Sequence, residues 1–182
     1  YKKPISETTI NNYIRNLKVF FNWLYDEREI KKNPMEKISL LKTDRKIKET
    51  ITEEEFKELL KTFDMTTFHG FRNYIMTKIL LDTGMRIGEC CNLKVDDLDI
   101  QNKMILVEKS KARNQRYVYI SSNMAKELRR WVRYKDRYVE SEYLFPTTKG
   151  TPLSIGSYET QLRQAGEKIG INVHPHQLRN NF

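Results

Sequence analysis

Leu81-Asp82-Thr83-Gly84-Met85-Arg86-Ile87-Gly88-Glu89-Cys90 decides how this 182-residue chain is read. A helical apolar period leads into it through Phe71, Tyr74, Ile75, Ile79 and Leu80. Gly84 then stands where a glycine past the last turn ends a helix. The sharp turn that glycine permits puts Arg86 in the first turn of a second, short helix over residues 86–92. A guanidinium there has helix amides beside it, and both favour an anion. Glu89, three residues on, occupies a neighbouring helical position and can buttress the arginine. Read alone, the stretch fits a junction between two helices with a surface arginine equally well.

Upstream, Ile10, Tyr13, Ile14, Leu17, Phe20, Phe21 and Leu24 follow the i, i+3, i+4, i+7 rule of one long helix. Phe20, Phe21 and Trp23, like Trp131 further on, are expected in the core. Asn33-Pro34 reads as a cap with proline at the first helical position, opening a short helix to about Ser39. Residues 42–50 carry no periodicity and read as a basic linker. Thr52 with Glu55 forms a capping box ahead of Phe56, Leu59, Leu60 and Phe63.

Downstream the period changes from helical to alternating. Residues 104–108 and 116–120 predict a β-hairpin with a basic tip between them. A helix comes next over about 124–139, with Leu128, Trp131 and Val132 inward. Tyr143-Leu144-Phe145 reads as a short strand closed by Pro146, residues 153–169 as a helix ending at Gly170, and residues 174–179 as the start of another helix. The fold class is therefore mainly α with a small β-hairpin or sheet (α+β). It divides into a partial helical unit at 1–41, the linker at 42–50 and a larger domain at 51–182.

Composition narrows the partners. Lysine and arginine number 33 against 24 acidic residues, a net charge of +9. Residues 1–50 hold 12 basic and 7 acidic residues, residues 51–107 hold 7 and 10, and residues 108–182 hold 14 and 7. Two basic segments flank an acidic one, the pattern of a clamp around a polyanion or of a solvated surface. Nucleic acid leads among anionic partners, because no segment reads as a basic helix with a broad apolar face for a membrane. No apolar run reaches the length of a membrane span. Cys90 and Cys91 are adjacent and are the only cysteines, which excludes a disulfide scaffold and fits a cytoplasmic location.

Two further pieces carry chemistry. The hairpin tip holds Lys109, Lys111 and Arg113 and runs into Arg116. A lysine on such a tip can reach a phosphate as donor or general acid. In His176-Gln177-Leu178-Arg179 the histidine and arginine share one helix face, where both can bond a single phosphate, and Leu178 points to the core.

The three pieces, in this order, resemble the tyrosine recombinase/integrase family of phage and mobile-element site-specific recombinases. The stretch around Arg86 looks like the family's box with the first catalytic arginine. Residues 93–99 resemble the family's next stretch, the hairpin resembles the one that carries the catalytic lysine, and residues 176–180 resemble the His-x-x-Arg box. Residues 1–40 look like the later helices of a core-binding domain that precedes a catalytic domain. The resemblance implies that Arg86 and Arg179 clamp the scissile phosphate and that Lys111, five residues before Arg116, protonates the leaving 5′-oxygen. It implies that His176 assists as acid/base or phosphate donor and that Glu89 gives structural support. Lys2, Lys3, Arg15, Lys18, Lys109, Arg113 and Arg116 are the expected DNA contacts. The reaction implied is transesterification through a phosphotyrosine, on double-stranded DNA, without metal or nucleotide cofactor, by a homo-tetramer on DNA. All ten tyrosines precede Arg179, whereas the family's nucleophile comes after it, so this stretch is expected to be a fragment that binds DNA without cutting it. Two alternatives stand beside this reading: a non-catalytic relative that occupies or regulates recombination sites, and a basic helical protein that binds RNA or an acidic protein.

Overall fold

The computed structural model describes residues 4–43, 50–108 and 115–180, with residue 180 described by its backbone only. The chain divides into two compact units, residues 1–47 and 48–182.

The first unit is built on α1 (Glu7–Asp26), capped by Ser6, whose Oγ accepts from the Thr9 amide at 3.2 Å. Asn11 is its one buried residue among those described; its side-chain amide donates to the Leu41 carbonyl at 2.9 Å and accepts from the Leu41 amide at 2.8 Å. This two-way bond clasps the returning chain to the helix. Two expectations change here. Phe20 and Trp23 are not core: they are 51% and 54% exposed, because a single helix with an extended return offers its apolar face little to pack on. The short helix after Asn33 is absent. Asn33 does accept from the Met35 amide at 2.8 Å, but the chain then closes only i→i+3 turns, and residues 34–37 remain a turn.

The second unit is organised around α3 (Phe68–Thr83), which is buried nearly all round, as a helix at the centre of a domain must be. Ahead of it lies α2 (Glu53–Lys61), closed by the Thr52–Glu55 capping box. Gly84, at φ 58°, ends α3, and α4 (Ile87–Cys91) begins almost at once. The sheet has three antiparallel strands in chain order, β1 (Leu98–Asp99), β2 (Met104–Val107) and β3 (Arg116–Tyr119). The hairpin register pairs Met104 with Tyr119 and Val107 with Arg116. β1 has no alternation to betray it in the sequence, since it is only two residues long. Next come α5 (Ser122–Lys135), α6 (Ile155–Glu167) and α7 (Pro175–Asn180).

Residues 143–145 do not form the expected strand. Isolated bridges join Lys94 to Tyr143 and Pro146 to Pro152. Prolines at 146 and 152 withhold the amides that a continuing ladder would need. The expected core members Trp131, Cys90, Cys91 and Leu178 are buried. The Trp131 indole donates to the Leu144 carbonyl at 2.8 Å, so its one polar atom is satisfied inside the core.

Two features place α7. Gly166 lies so close to the chain leaving α6 that an added Cβ would sit 2.7 Å from both the Ile171 carbonyl oxygen and Val173 Cγ1. Leu178, fully buried, then anchors α7, which packs against α3. Leu178→Ala should cost about 2–5 kcal/mol of stability. Urea denaturation checks this, and a loss under about 1 kcal/mol would mean that Leu178 does not anchor α7.

Candidate functional site

Arg86 stands one residue ahead of the expected first turn, as the N-cap of α4, with extended backbone (φ −75°, ψ 146°). Buried Met85 behind it and the left-handed Gly84 before it fix its direction. Its side chain is 61% exposed. Glu89 reaches back to it, as the spacing of three predicts: Glu89 Oε2 accepts from the Arg86 amide at 2.8 Å and Oε1 from Arg86 Nη1 at 3.2 Å.

Glu89 also meets a partner from the sheet. Arg116, the first residue of β3, delivers both guanidinium prongs, Nη1 to Oε1 at 2.9 Å and Nη2 to Oε2 at 2.7 Å. Bidentate arginine–carboxylate pairs are the strong form of this bond. The Arg116 fork, with the amide and guanidinium of Arg86, holds the Glu89 carboxyl down at about 2 against the opposing effect of burial.

His176 and Arg179 come from α7, whose start is closed by Gln177: its Oε1 accepts from the His174 amide at 2.7 Å. Sequence reasoning passes over this cap because histidine is not a usual N-cap residue, although a glutamine three residues later is the other half of a capping box. His176 is exposed and Arg179 half-buried. Arg179 Nη1 is buried with no hydrogen-bond partner among the described residues. A buried guanidinium donor left unpaired is costly unless something anionic meets it.

These residues converge. Arg86, Glu89, His176 and Arg179 line one cleft of about 1120 Å³. Lys94, which the sequence reading does not single out, also lines it and pairs with Glu142 at 2.9 Å. Glu108, the last described residue before the hairpin tip, lines it too and accepts from Gln115 at 3.0 Å across the base of the hairpin. Lys109, Lys111 and Arg113, and Lys2 and Lys3 at the start of the chain, lie outside the described residues. In the first unit, Arg15 is exposed and bonded to Asn12, and Lys18 is half-buried.

Other reactive groups are removed from the cleft. Burial pushes the Cys90 thiol well above its usual range and Cys91 to about 11, so both are unreactive core residues. The Tyr158 hydroxyl is enclosed within 2.9 Å of Thr77 Oγ1, and burial raises it strongly. Among the described residues no group of three or more His, Cys, Asp or Glu is arranged to hold a metal ion, and no helix is long and apolar enough to cross a membrane.

The family model for the phage integrase family matches residues 49–182. The tyrosine recombinase XerC of Bacillus pumilus is 33% identical over an alignment that covers all of this chain, and the chain spans 62% of that protein's length. The Tn1549 transposon integrase, solved in complex with transposon right end DNA, superposes over the whole chain and 67% of its own, with a TM-score of 0.83 at 23% identity. A lambda integrase tetramer bound to a Holliday junction superposes over 96% of this chain and 53% of its own, with a TM-score of 0.77 at 18% identity. At such identities these two structures establish likeness of fold.

The Glu89 geometry sets a pH dependence. A carboxylate held near 2 in the fold and near 4.5 when unfolded stabilises the protein above about pH 4.5, and this contribution is lost as pH falls toward 2. Glu89→Gln should therefore be less stable than the parent by about 2–4 kcal/mol near neutral pH, with the gap closing toward pH 2. Denaturant titrations of both chains across that range check it. A gap independent of pH would exclude a charged Glu89 as the source.

Proposed function

The chain belongs to the phage integrase family, the tyrosine recombinases, and from that premise we propose that its cleft grips the scissile phosphodiester of duplex DNA during site-specific strand exchange. The observation that carries the reading is the buried Nη1 of Arg179, which has no hydrogen-bond partner among the described residues, in the same cleft as the exposed guanidinium of Arg86. Two planar cations meeting in one concavity suit the two non-bridging oxygens of a phosphate.

In this reading Arg86 and Arg179 stabilise the charge that gathers on those oxygens as phosphorus becomes five-coordinate. His176 adds a third donor, able to pass a proton. A tyrosine hydroxyl attacks phosphorus and gives up its proton to His176, the bond to the 5′-oxygen breaks, and Lys111 gives that oxygen its proton. The 3′-phosphotyrosyl ester keeps the bond energy, and a 5′-hydroxyl of the partner strand reverses the step. No nucleotide or metal is needed to balance it. Tyr158 is not the nucleophile, since its hydroxyl is enclosed against Thr77. The lambda integrase tetramer on a Holliday junction suggests four copies at the exchange point. Arg15 and Lys18 of the first unit, and Lys2, Lys3, Lys109 and Arg113, are proposed as backbone contacts that set register rather than chemistry.

Strand cleavage by the protein that carries this chain tests the reading. Arg86→Ala or Arg179→Ala should slow formation of the covalent protein–DNA adduct by about 10²–10³-fold, while duplex affinity falls less than about tenfold. Parallel loss of affinity and cleavage would overturn the assignment of the two arginines. Salt-dependent binding by the parent protein with no adduct under any condition would replace recombination by occupation of sites.

A further inference from the structure

The basic run at the hairpin groups Arg116 with the residues expected to touch DNA, yet its two-pronged fork is already turned onto a carboxylate. Both terminal nitrogens of its guanidinium are engaged by Glu89 at 2.9 and 2.7 Å, and only a third of its side chain is exposed. Glu89 in turn is 10% exposed, and each of its two oxygens accepts one bond from Arg86 and one from Arg116. Arg116 is also the first residue of β3, paired with Val107 where the hairpin leaves the sheet. One side chain thus ties the base of the hairpin to the turn that presents Arg86.

We infer that Arg116 is a positioning residue, which acts through Glu89 to hold Arg86 aimed into the cleft and to fix the hairpin base beside it. It makes no contact with the phosphate itself. The inference rests on the proposed phosphate grip. Its physical basis is restraint. Arg86 is 61% exposed, and a free arginine side chain spreads over many rotamers. Glu89 removes part of that freedom, but a lone carboxylate could itself swing or take up a proton. A bidentate guanidinium fixes both its oxygens and its charge. Lysine, with one point charge, would restore the charge without the two-pronged geometry.

The test uses this chain with inorganic phosphate as the probe and NMR of the arginine Nε–Hε groups as the readout, with thermal melting as a check on folding. In the parent, phosphate should shift the Arg86 and Arg179 signals saturably. Arg116→Gln should weaken that response about tenfold and loosen Arg86 on the nanosecond scale before any ligand is added, and Arg116→Lys should recover part of both. Arg116→Gln combined with Glu89→Gln should be no weaker than Glu89→Gln alone, within twofold, because both changes cut one relay. Losses that multiply, or a phosphate affinity within twofold of the parent in Arg116→Gln, would overturn the inference. If phosphate moves neither arginine in the folded parent, the phosphate grip falls. The ligand-free order of Arg86 still decides the role of Arg116: unchanged order overturns it. Should Arg116→Gln fail to melt cooperatively, Arg116→Lys decides by the same two readouts, with a loss of about threefold expected and parent-like values contradicting.

Discussion

The carboxylate of Glu89 is the constraint on which the site depends. It is nearly enclosed, and a charge in that position survives only where hydrogen bonds replace the water it has lost. Here four donors do so, two from Arg86 and two from Arg116. The arrangement joins the left-handed turn at Gly84 and the first turn of α4, which follow each other in the chain, to the first residue of β3, 27 residues beyond Glu89. Taking away either arginine would leave the carboxylate under-bonded, so the pieces hold together as a unit.

The rest of the second unit serves to bring α7 up to that cluster. α3 provides an apolar surface on nearly every side, the close approach at Gly166 sets the path out of α6, and Leu178 seats the last helix. The consequence is a cleft with exposed Arg86 on one element and half-buried Arg179 on another. The contrast in burial has a chemical meaning. An arginine held in protein with one nitrogen unpaired among the described residues is preorganised, and its desolvation is spent at folding instead of at the moment an anion arrives.

Much of this is legible in the sequence, and for identifiable reasons. Gly84, the Thr52–Glu55 box, the two strands of the hairpin and the inward Leu178 derive from local rules whose signals span only a few residues. The spacing of Arg86 and Glu89 foretells their contact for the same reason. The bond from Arg116 to Glu89 is not legible because the two residues lie 27 apart, and nothing local distinguishes a strand arginine that faces a carboxylate from one that faces solvent. The strand expected at 143–145 fails through two prolines whose effect depends on which edge they occupy. Phe20 and Trp23 are expected in a core because helical spacing reports a face, and cannot report whether anything covers it. Of the candidate site, Arg86, Glu89, His176 and Arg179 are found from sequence and are brought to one cleft, while Lys94 and the Gln177 cap are not found.

The central claim is that one phosphate sits between Arg86 and Arg179. The most direct measurement is a crystal structure of the chain bound to duplex DNA. The expected result is a single backbone phosphate with non-bridging oxygens in hydrogen-bonding range, about 2.7–3.2 Å, of both guanidinium groups, with Arg116 still bonded to Glu89. A duplex seated with its phosphates away from the cleft, or on Arg116 with the Glu89 pair broken, would contradict it.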